Sequence, residues 1–497
     1  MNPWWKNRLI AIASALLAMC SGWWIANGSY ALPVMAGAIA VAAILVRLLR
    51  LPIDVIVVGG LLVGYIVGNR GFAQFSLVPG LPVLPAEAGL AVCLVWLVTK
   101  SAYAKTLPVR RDALNLAIAL WIAVGSARIV SDVRVFGLVA LRDFATVYYA
   151  LFFFVAQAQA DNEQARGFLA SCLRWATVII IPLSELFRRF PEFFLRTLAV
   201  GGIPLIFFKG DLVATFMAVG VLFSYRRWED TRRAAWLGAA LLGVVGVLTS
   251  ESRAALLGLA VATGWLAVGR QWGLLRLQVA GAAVAGMILL AAIAGGLVSA
   301  RDNPALRLYE RVASIADVSG TRTYDSTEVE FKGDNNRFRL VWWQAVADET
   351  IAGNPWLGLG FGSDLAAAFV QRYYPDSDEE FSTRSPHSIL VTAFGRTGLV
   401  GLGALLGIVA VMIQRTWRSL HTKDRHGEDQ VFWLAAWVIF TSACFGVVLE
   451  GPMGAVVFWT ILGLANAPGR EKEADATPAA VADLRNTTAA IQVSPAP

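Results

Sequence analysis

Charge is scarce in this chain: 15% of its 497 residues are Asp, Glu, Lys or Arg, against roughly 25% in soluble domains. That scarcity excludes an ordinary soluble enzyme, which at this length would divide into about three such domains. Histidine occurs three times and cysteine four times. Cys20, Cys93, Cys172 and Cys444 all lie in apolar stretches, without a Cys-x-x-Cys spacing or a Cys/His cluster. Nothing there reads as a zinc site, and buried reduced thiols are expected. The apolar residues do not alternate with polar ones, which excludes a β-barrel. No internal repeat is evident either.

What the chain has in abundance is long apolar runs. Hydrophobic residues make up 57% of it and the mean hydropathy is +0.60. The runs fall near 8–27, 30–48, 53–69, 83–99, 113–130, 136–158, 168–184, 198–224, 234–250, 254–268, 275–299, 388–414, 431–449 and 453–467. Each approaches the roughly twenty residues that cross a bilayer. The expected fold class is an all-α polytopic integral membrane protein, with about twelve to fourteen transmembrane helices and a large, partly helical outer loop. Lys6 and Arg8 ahead of a stretch ending at Cys20 mimic a secretory signal. Leu17-Ala18-Met19 fits a lipoprotein cleavage site poorly, so a retained first helix is expected.

The net charge of +7 and pI near 9.4 call for no nucleic acid. Basic residues recur in every second short loop: Arg47 and Arg50; Lys100, Lys105, Arg110 and Arg111; Arg226, Arg227, Arg232 and Arg233; Arg270 and Arg276; Arg415, Arg418, Lys423 and Arg425. Those loops are expected in the cytoplasm together with both termini. The domain reading is then 1–299 as N-terminal membrane helices, 300–387 as a periplasmic loop or lid, 388–467 as C-terminal membrane helices and 468–497 as a disordered cytoplasmic tail. Within the loop, Ala305–Ile315 and Arg337–Ile351 carry helical apolar spacing, whereas Asp325–Asn336 is polar and expected to be irregular.

A few residues stand out chemically. His421 and His426 sit in a basic cytoplasmic loop and read as solvated bystanders. His387, in Arg384-Ser385-Pro386-His387-Ser388, stands where the outer loop re-enters the membrane. Histidine suits acid–base work near neutral pH, although a hydrogen-bonding role at a helix end is the competing account. Arg253 lies in the short outer turn Thr249-Ser250-Glu251-Ser252-Arg253, where it either serves a site or snorkels, with Glu251 a possible partner. Arg337 and Arg339 begin the helix expected in the outer loop, and their planar guanidinium groups suit phosphate oxygens. Secondary candidates are Arg384, Ser252, the outer cluster Arg188, Arg189 and Arg196, and the pair Lys209 and Asp211. That pair interrupts an apolar segment either as a broken helix or as a mutual ion pair. The glycines of Asn354–Gly362 follow a helix rather than a strand, so they read as a tight packing turn and not as a dinucleotide fingerprint. Asp376-Ser377-Asp378 spells a metal-binding Asp-x-Asp but lies in an acidic run and is read as structural.

Taken together these pieces resemble the O-antigen ligase family over roughly residues 235–415. Thr249, Ser252 and Arg253 match a T-x-S-R-like turn with one extra residue, Glu251. Arg339 and Trp343 match R-x-x-x-W, with Arg337 competing for the arginine position. Asn354-Pro355-Trp356-Leu357-Gly358-Leu359-Gly360 matches N-P-x-x-G-x-G, and His387, Gly398 and Gly401 follow in order. The first 230 residues or so carry no comparable pattern. The resemblance implies a GT-C-like glycosyltransferase of the Gram-negative inner membrane. Such an enzyme moves a polysaccharide from undecaprenyl pyrophosphate to the lipid A–core oligosaccharide at the periplasmic face, without a metal or other cofactor. His387 is then expected to act as base, with Arg253 and Arg339 or Arg337 holding the pyrophosphate. An O-antigen polymerase and a protein O-oligosaccharyltransferase share the same pattern. A lipid-linked glycan flippase or secondary transporter is the more distant reading, since Lys209 and Asp211 suit a broken transport helix.

Overall fold

The computed structural model describes residues 31–76, 83–105, 109–250, 252–295, 327–373, 384–421 and 427–467, with isolated positions at 310, 313 and 317. The apolar stretch at 8–27, all but two positions of the helix-like piece at 305–315, Glu251, Asp376, Asp378 and the tail at 468–497 lie outside the described residues. The protein is an all-α polytopic membrane protein. Among the described residues, six helices are long and apolar enough to cross a bilayer, and five shorter apolar ones accompany them.

Every apolar segment from residue 30 onward contains helix, because a backbone in hydrocarbon must satisfy its own hydrogen bonds. α1 (Ala31–Leu49) leads to α2 (Ile53–Val63), which continues as a π-helical turn over Gly64–Gly68 and then the short α3 (Arg70–Ala73). α4 (Pro85–Ala104) opens on a proline that needs no partner for its nitrogen. α5 (Ala113–Phe136) is capped by Asp112, whose carboxylate accepts from the Leu114 and Asn115 amides at 2.9 and 3.0 Å. Gly137 then breaks the chain. The expected span at 136–158 is therefore α6 (Leu138–Asp143), α7 (Ala145–Tyr148) and α8 (Leu151–Gln159) in succession. α9 (Glu163–Arg189), α10 (Gly210–Thr231), α11 (Ala234–Thr249), α12 (Arg253–Val268) and α13 (Gly273–Ala294) complete the first half. The segment before the next long helix holds α14 (Thr327–Gly353) and α15 (Ala367–Tyr373). α16 (Ile389–His421), α17 (Glu428–Cys444) and α18 (Pro452–Ala465) follow.

Helices α10, α17 and α18 are buried on nearly all sides and form the centre. α11 packs on α10, α12 on α17, and α18 on α8 and α17. Peripheral helices turn bulky apolar groups outward: Leu48, Val95 and Leu290 are 72%, 68% and 67% exposed. Water would penalise such a belt, and a bilayer does not. Four helices that run toward the basic loops end on a non-glycine residue in left-handed conformation, and each is basic: Arg50, Lys105, Arg232 and Arg270. A cation there complements the partial negative charge of a helix C-terminus.

Two expectations need correction. The stretch 198–209 does not belong to a span. It forms an antiparallel hairpin, Ala199–Val200 with Ile203–Pro204, and α10 begins only at Gly210. Lys209 is thus the residue before a helix and Asp211 lies in its first turn, so no broken membrane helix exists there. The glycines at 201 and 202, both at positive φ, turn the chain where a helix would otherwise have continued. Asp325–Asn336 is not irregular either, because α14 starts at Thr327. That stretch contains no proline to stop a helix.

Candidate active site

α14 sets the geometry by its periodicity. Phe338, Val341, Trp342, Ala345 and Val346 line one stripe and build a separate small core with Leu365, Ala366 and Phe369. Trp342 is fully buried and donates through Nε1 to the Leu365 carbonyl at 2.7 Å. Trp343 points elsewhere and donates through Nε1 to the Pro386 carbonyl at 2.7 Å. Arg339 lies one turn before Trp343, hence on the same face. Arg337 is about 200° around the helix from Arg339 and is exposed. The helix thereby separates two arginines that the sequence leaves equivalent.

Pinned by Trp343, the loop ahead of α16 holds His387 at φ +55°. Left-handed backbone is unfavourable for a residue with a Cβ, so the conformation persists only because its surroundings impose it. The imidazole meets the Trp342 ring edge-to-face, with centroids 5.6 Å apart, and the His387 amide donates to Ser385 Oγ at 3.3 Å. Burial depresses the imidazole pKa to about 4, helped by the positive charges of Arg339 and Lys209 and opposed by Asp211. His387 is therefore neutral at pH 7 and has a lone pair available.

Lys209 and Asp211 arrive from the other half of the chain. Burial lowers the Lys209 pKa, Arg70 lowers it further, and Asp211 and Glu450 oppose. No ion pair joins Lys209 to Asp211 among the described residues. Nor do the side chains of Arg339, Lys209 or His387 have a hydrogen-bond partner there. Four groups able to act on a substrate, one carboxylate, one imidazole and two cations, thus share a neighbourhood while staying uncommitted. Arg70 and Glu450 went unnoticed in the sequence. Glu450 accepts from Thr392 Oγ1 at 2.9 Å beneath the His387 loop.

A second cluster of charge is fully committed. Arg396, 4% exposed, pairs with Asp143 at 2.8 Å and donates to the Gly360 carbonyl at 3.2 Å and to Ser363 Oγ at 3.1 Å. Asp132 pairs with Arg128 at 3.2 Å and accepts from the Phe361 amide at 2.7 Å. Asp143 accepts from the Gly362 amide at 3.0 Å. These bonds dock the 354–362 turn onto α16 where that helix breaks at Gly398, φ +62°. The Leu359 amide donates to the Gly395 carbonyl at 2.7 Å, and the Leu399 amide to the Pro355 carbonyl at 2.8 Å. A Cβ on Gly358 would stand 2.6 Å from the Gly398 nitrogen, and one on Gly398 would stand 2.4 Å from the Trp356 carbonyl oxygen. The glycines are there so that two backbones can touch, and the turn is a packing device as its sequence suggests.

Residues 238–406 match the family model described as O-Antigen ligase. This region is an O-antigen ligase domain. The match covers these residues alone and supports the O-antigen ligase/polymerase superfamily, whose members are glycosyltransferase-like membrane enzymes of O-antigen processing that handle lipid-linked glycans. No curated protein matches the chain.

The ligase domain contains Arg253, Arg339, His387 and Arg396, whereas Arg70, Asp143, Lys209, Asp211 and Glu450 lie outside its bounds. Arg253 is the first residue of α12 and partly buried. Ser252 is that helix's cap, accepting from the Ala255 amide at 3.3 Å. Arg384 donates to the Gly362 carbonyl and so tethers the His387 loop to the glycine turn. Arg188 and Arg189 both contact Glu185, and Arg196 pairs with Glu192 at 2.8 Å. Each of these exposed arginines is paired on its own turn, with Arg188 and Arg189 sharing one glutamate. Asp132, Asp143 and Arg396 did carry a signal in the sequence, since each interrupts or borders an apolar run.

Proposed function

We propose that the protein is an O-antigen ligase that transfers polysaccharide from undecaprenyl pyrophosphate to the lipid A–core oligosaccharide at the periplasmic face of the inner membrane. The observation that carries this reading is the meeting of an uncommitted arginine, Arg339, with a neutral, strained histidine, His387, within a matched ligase domain. The basic loops lie at the opposite helix ends, which supports a periplasmic site and cytoplasmic termini.

In this mechanism the acceptor hydroxyl oxygen attacks the anomeric carbon while the bond from that carbon to the pyrophosphate oxygen breaks. His387 takes the hydroxyl proton, undecaprenyl pyrophosphate leaves with the electron pair, and configuration inverts. Arg339 and Lys209, with Arg253 from α12, meet the charge that develops on the leaving oxygen, so no metal is required for that role. Binding of the anionic donor offsets the two cations that depress His387, which makes the imidazole a stronger base when substrate is present. Asp211 acts in the same direction. The described part of the loop, α14 and α15, covers the site between the membrane helices of 1–299 and 388–467.

The experiment is transfer in detergent with EDTA, using purified protein, undecaprenyl-pyrophosphate glycan and lipid A–core, with His387→Ala alongside. Ligated product from the wild type alone supports the reading. Lengthening of the glycan from donor alone would identify a polymerase instead. Activity that needs a sealed vesicle and yields no covalent product would identify a transporter.

A further inference from the structure

We propose that Arg70 and Lys209 form a second anion subsite, which takes the phosphate of the lipid-linked donor that lies farther from the reacting sugar. The inference rests on the ligase reading above and extends it into the N-terminal half, outside the matched domain.

The geometry begins at Asn69. It is completely buried, with φ +54° and ψ −125°, a conformation that a non-glycine residue adopts only when held. What holds it is a weld between two distant pieces of chain. Asn69 Oδ1 accepts from the Lys209 amide at 2.9 Å, the Gly71 amide donates to the Phe207 carbonyl at 3.3 Å, and the Phe207 amide donates to the Gly68 carbonyl at 3.2 Å. A Cβ on Gly71 would stand 2.4 Å from the Pro204 carbonyl oxygen, so the two backbones are in contact. The π-helical turn over Gly64–Gly68 delivers the chain to this point at the end of α2.

The weld fixes two cations on one rim. Arg70 is exposed, with its guanidinium 5.2 Å from the centroid of the Phe207 ring. Lys209 follows that ring by two residues. Neither is ion-paired among the described residues, and Asn69 Nδ2 is buried beside them without a partner. Two like charges held together by a strained, buried asparagine raise the energy of the empty protein, and an anion relieves that cost. α10 also begins here without a side-chain cap, so its positive end faces the same region. The cations form a series: Arg339 and Lys209 act on His387, and Arg70 acts on Lys209. A pyrophosphate presents two phosphates in series, and Arg70 with Lys209 suits the distal one. Anionic phospholipid headgroups share this phosphate chemistry, so the experiment must separate the two sources.

The test is equilibrium binding to the full chain in phosphatidylcholine nanodiscs, read by native mass spectrometry. The probes are undecaprenyl pyrophosphate, undecaprenyl phosphate and phosphatidylglycerol. Wild type is expected to prefer the pyrophosphate. Arg70→Gln should weaken pyrophosphate binding about tenfold, the loss expected of one charge-assisted contact, while monophosphate binding is unchanged; Lys209→Gln, which removes the cation shared by both phosphates, should weaken both. Arg70→Lys should recover most of the loss, which a collapsed weld would not permit. The proposal is overturned if Arg70→Gln leaves pyrophosphate binding intact, if it weakens both polyprenyl probes equally, or if phosphatidylglycerol alone responds. Failure of the ligase reading looks different: wild type then shows no preference for pyrophosphate, and Arg339→Gln changes nothing.

Discussion

Arg339 and Arg396 belong to the same ligase domain and stand near the same end of the bundle, yet they serve opposite ends. Arg396 has an aspartate, a carbonyl and a hydroxyl around it, and every contact tightens the joint between the 354–362 turn and the broken helix α16. Arg339 has no hydrogen-bond partner among the described residues and shares its surroundings with a histidine, a lysine and an aspartate that are equally free. In a chain so poor in charge, a buried charge alone does not separate structure from chemistry. Whether its hydrogen-bonding capacity is already spent on the protein does.

The comparison breaks most visibly on the committed side. Arg396→Met leaves the half-buried Asp143 without its cation, and loss of one member of such a pair is expected to cost up to about 3–5 kcal/mol. Thermal unfolding in detergent should show a large drop, with little folded protein recovered. On the uncommitted side the stability should stay near wild type while chemistry collapses. Removal of a general base typically lowers turnover about 10²–10⁴-fold, so His387→Ala should lose transfer to that extent. A Tm that fell as far as in Arg396→Met would erase the distinction.

Gly398→Ala adds a Cβ within 2.4 Å of a backbone oxygen at a positive φ. It should destabilise by at least about 1–3 kcal/mol, again in unfolding measurements. The pH dependence is smaller and sharper. With the imidazole held near 4 in the folded free enzyme, kcat/KM should lose its acid limb near that value and not near 6.5. Arg339→Gln removes a lowering charge and should move the limb up, and Asp211→Asn should move it down. The sign for stability follows: the unfolded histidine binds its proton near pH 6.5, so this group withdraws stability as pH falls from there through about 4.

The smallest effect is the most discriminating. His387→Gly relieves the left-handed backbone and should raise stability by about 1 kcal/mol while abolishing transfer. A destabilised glycine variant would show that the imidazole holds the loop together and that its role is structural. Arg337→Ala, on the exposed face of α14, should change neither quantity by more than about 0.5 kcal/mol.

Composition and run length were enough to determine a polytopic helical protein, because hydrocarbon leaves a spanning backbone almost no alternative to the helix. The ordered motifs from Thr249 to Gly401 were enough to mark the ligase domain, and i,i+4 spacing already linked Arg339 to Trp343. Where a helix starts was less legible. The hairpin at 199–204 depends on a glycine turn, and the onset of α14 at Thr327 falls in a polar stretch, neither of which a hydropathy window registers. Only the tertiary structure put Arg337 and Arg339 in different surroundings, brought Lys209 and Asp211 near His387 from the other half of the chain, or joined Arg70 to the segment that carries Lys209. Those pairings follow from which helix faces meet and which buried carbonyls need a donor. Both are properties of the packed bundle and leave no local trace in the chain.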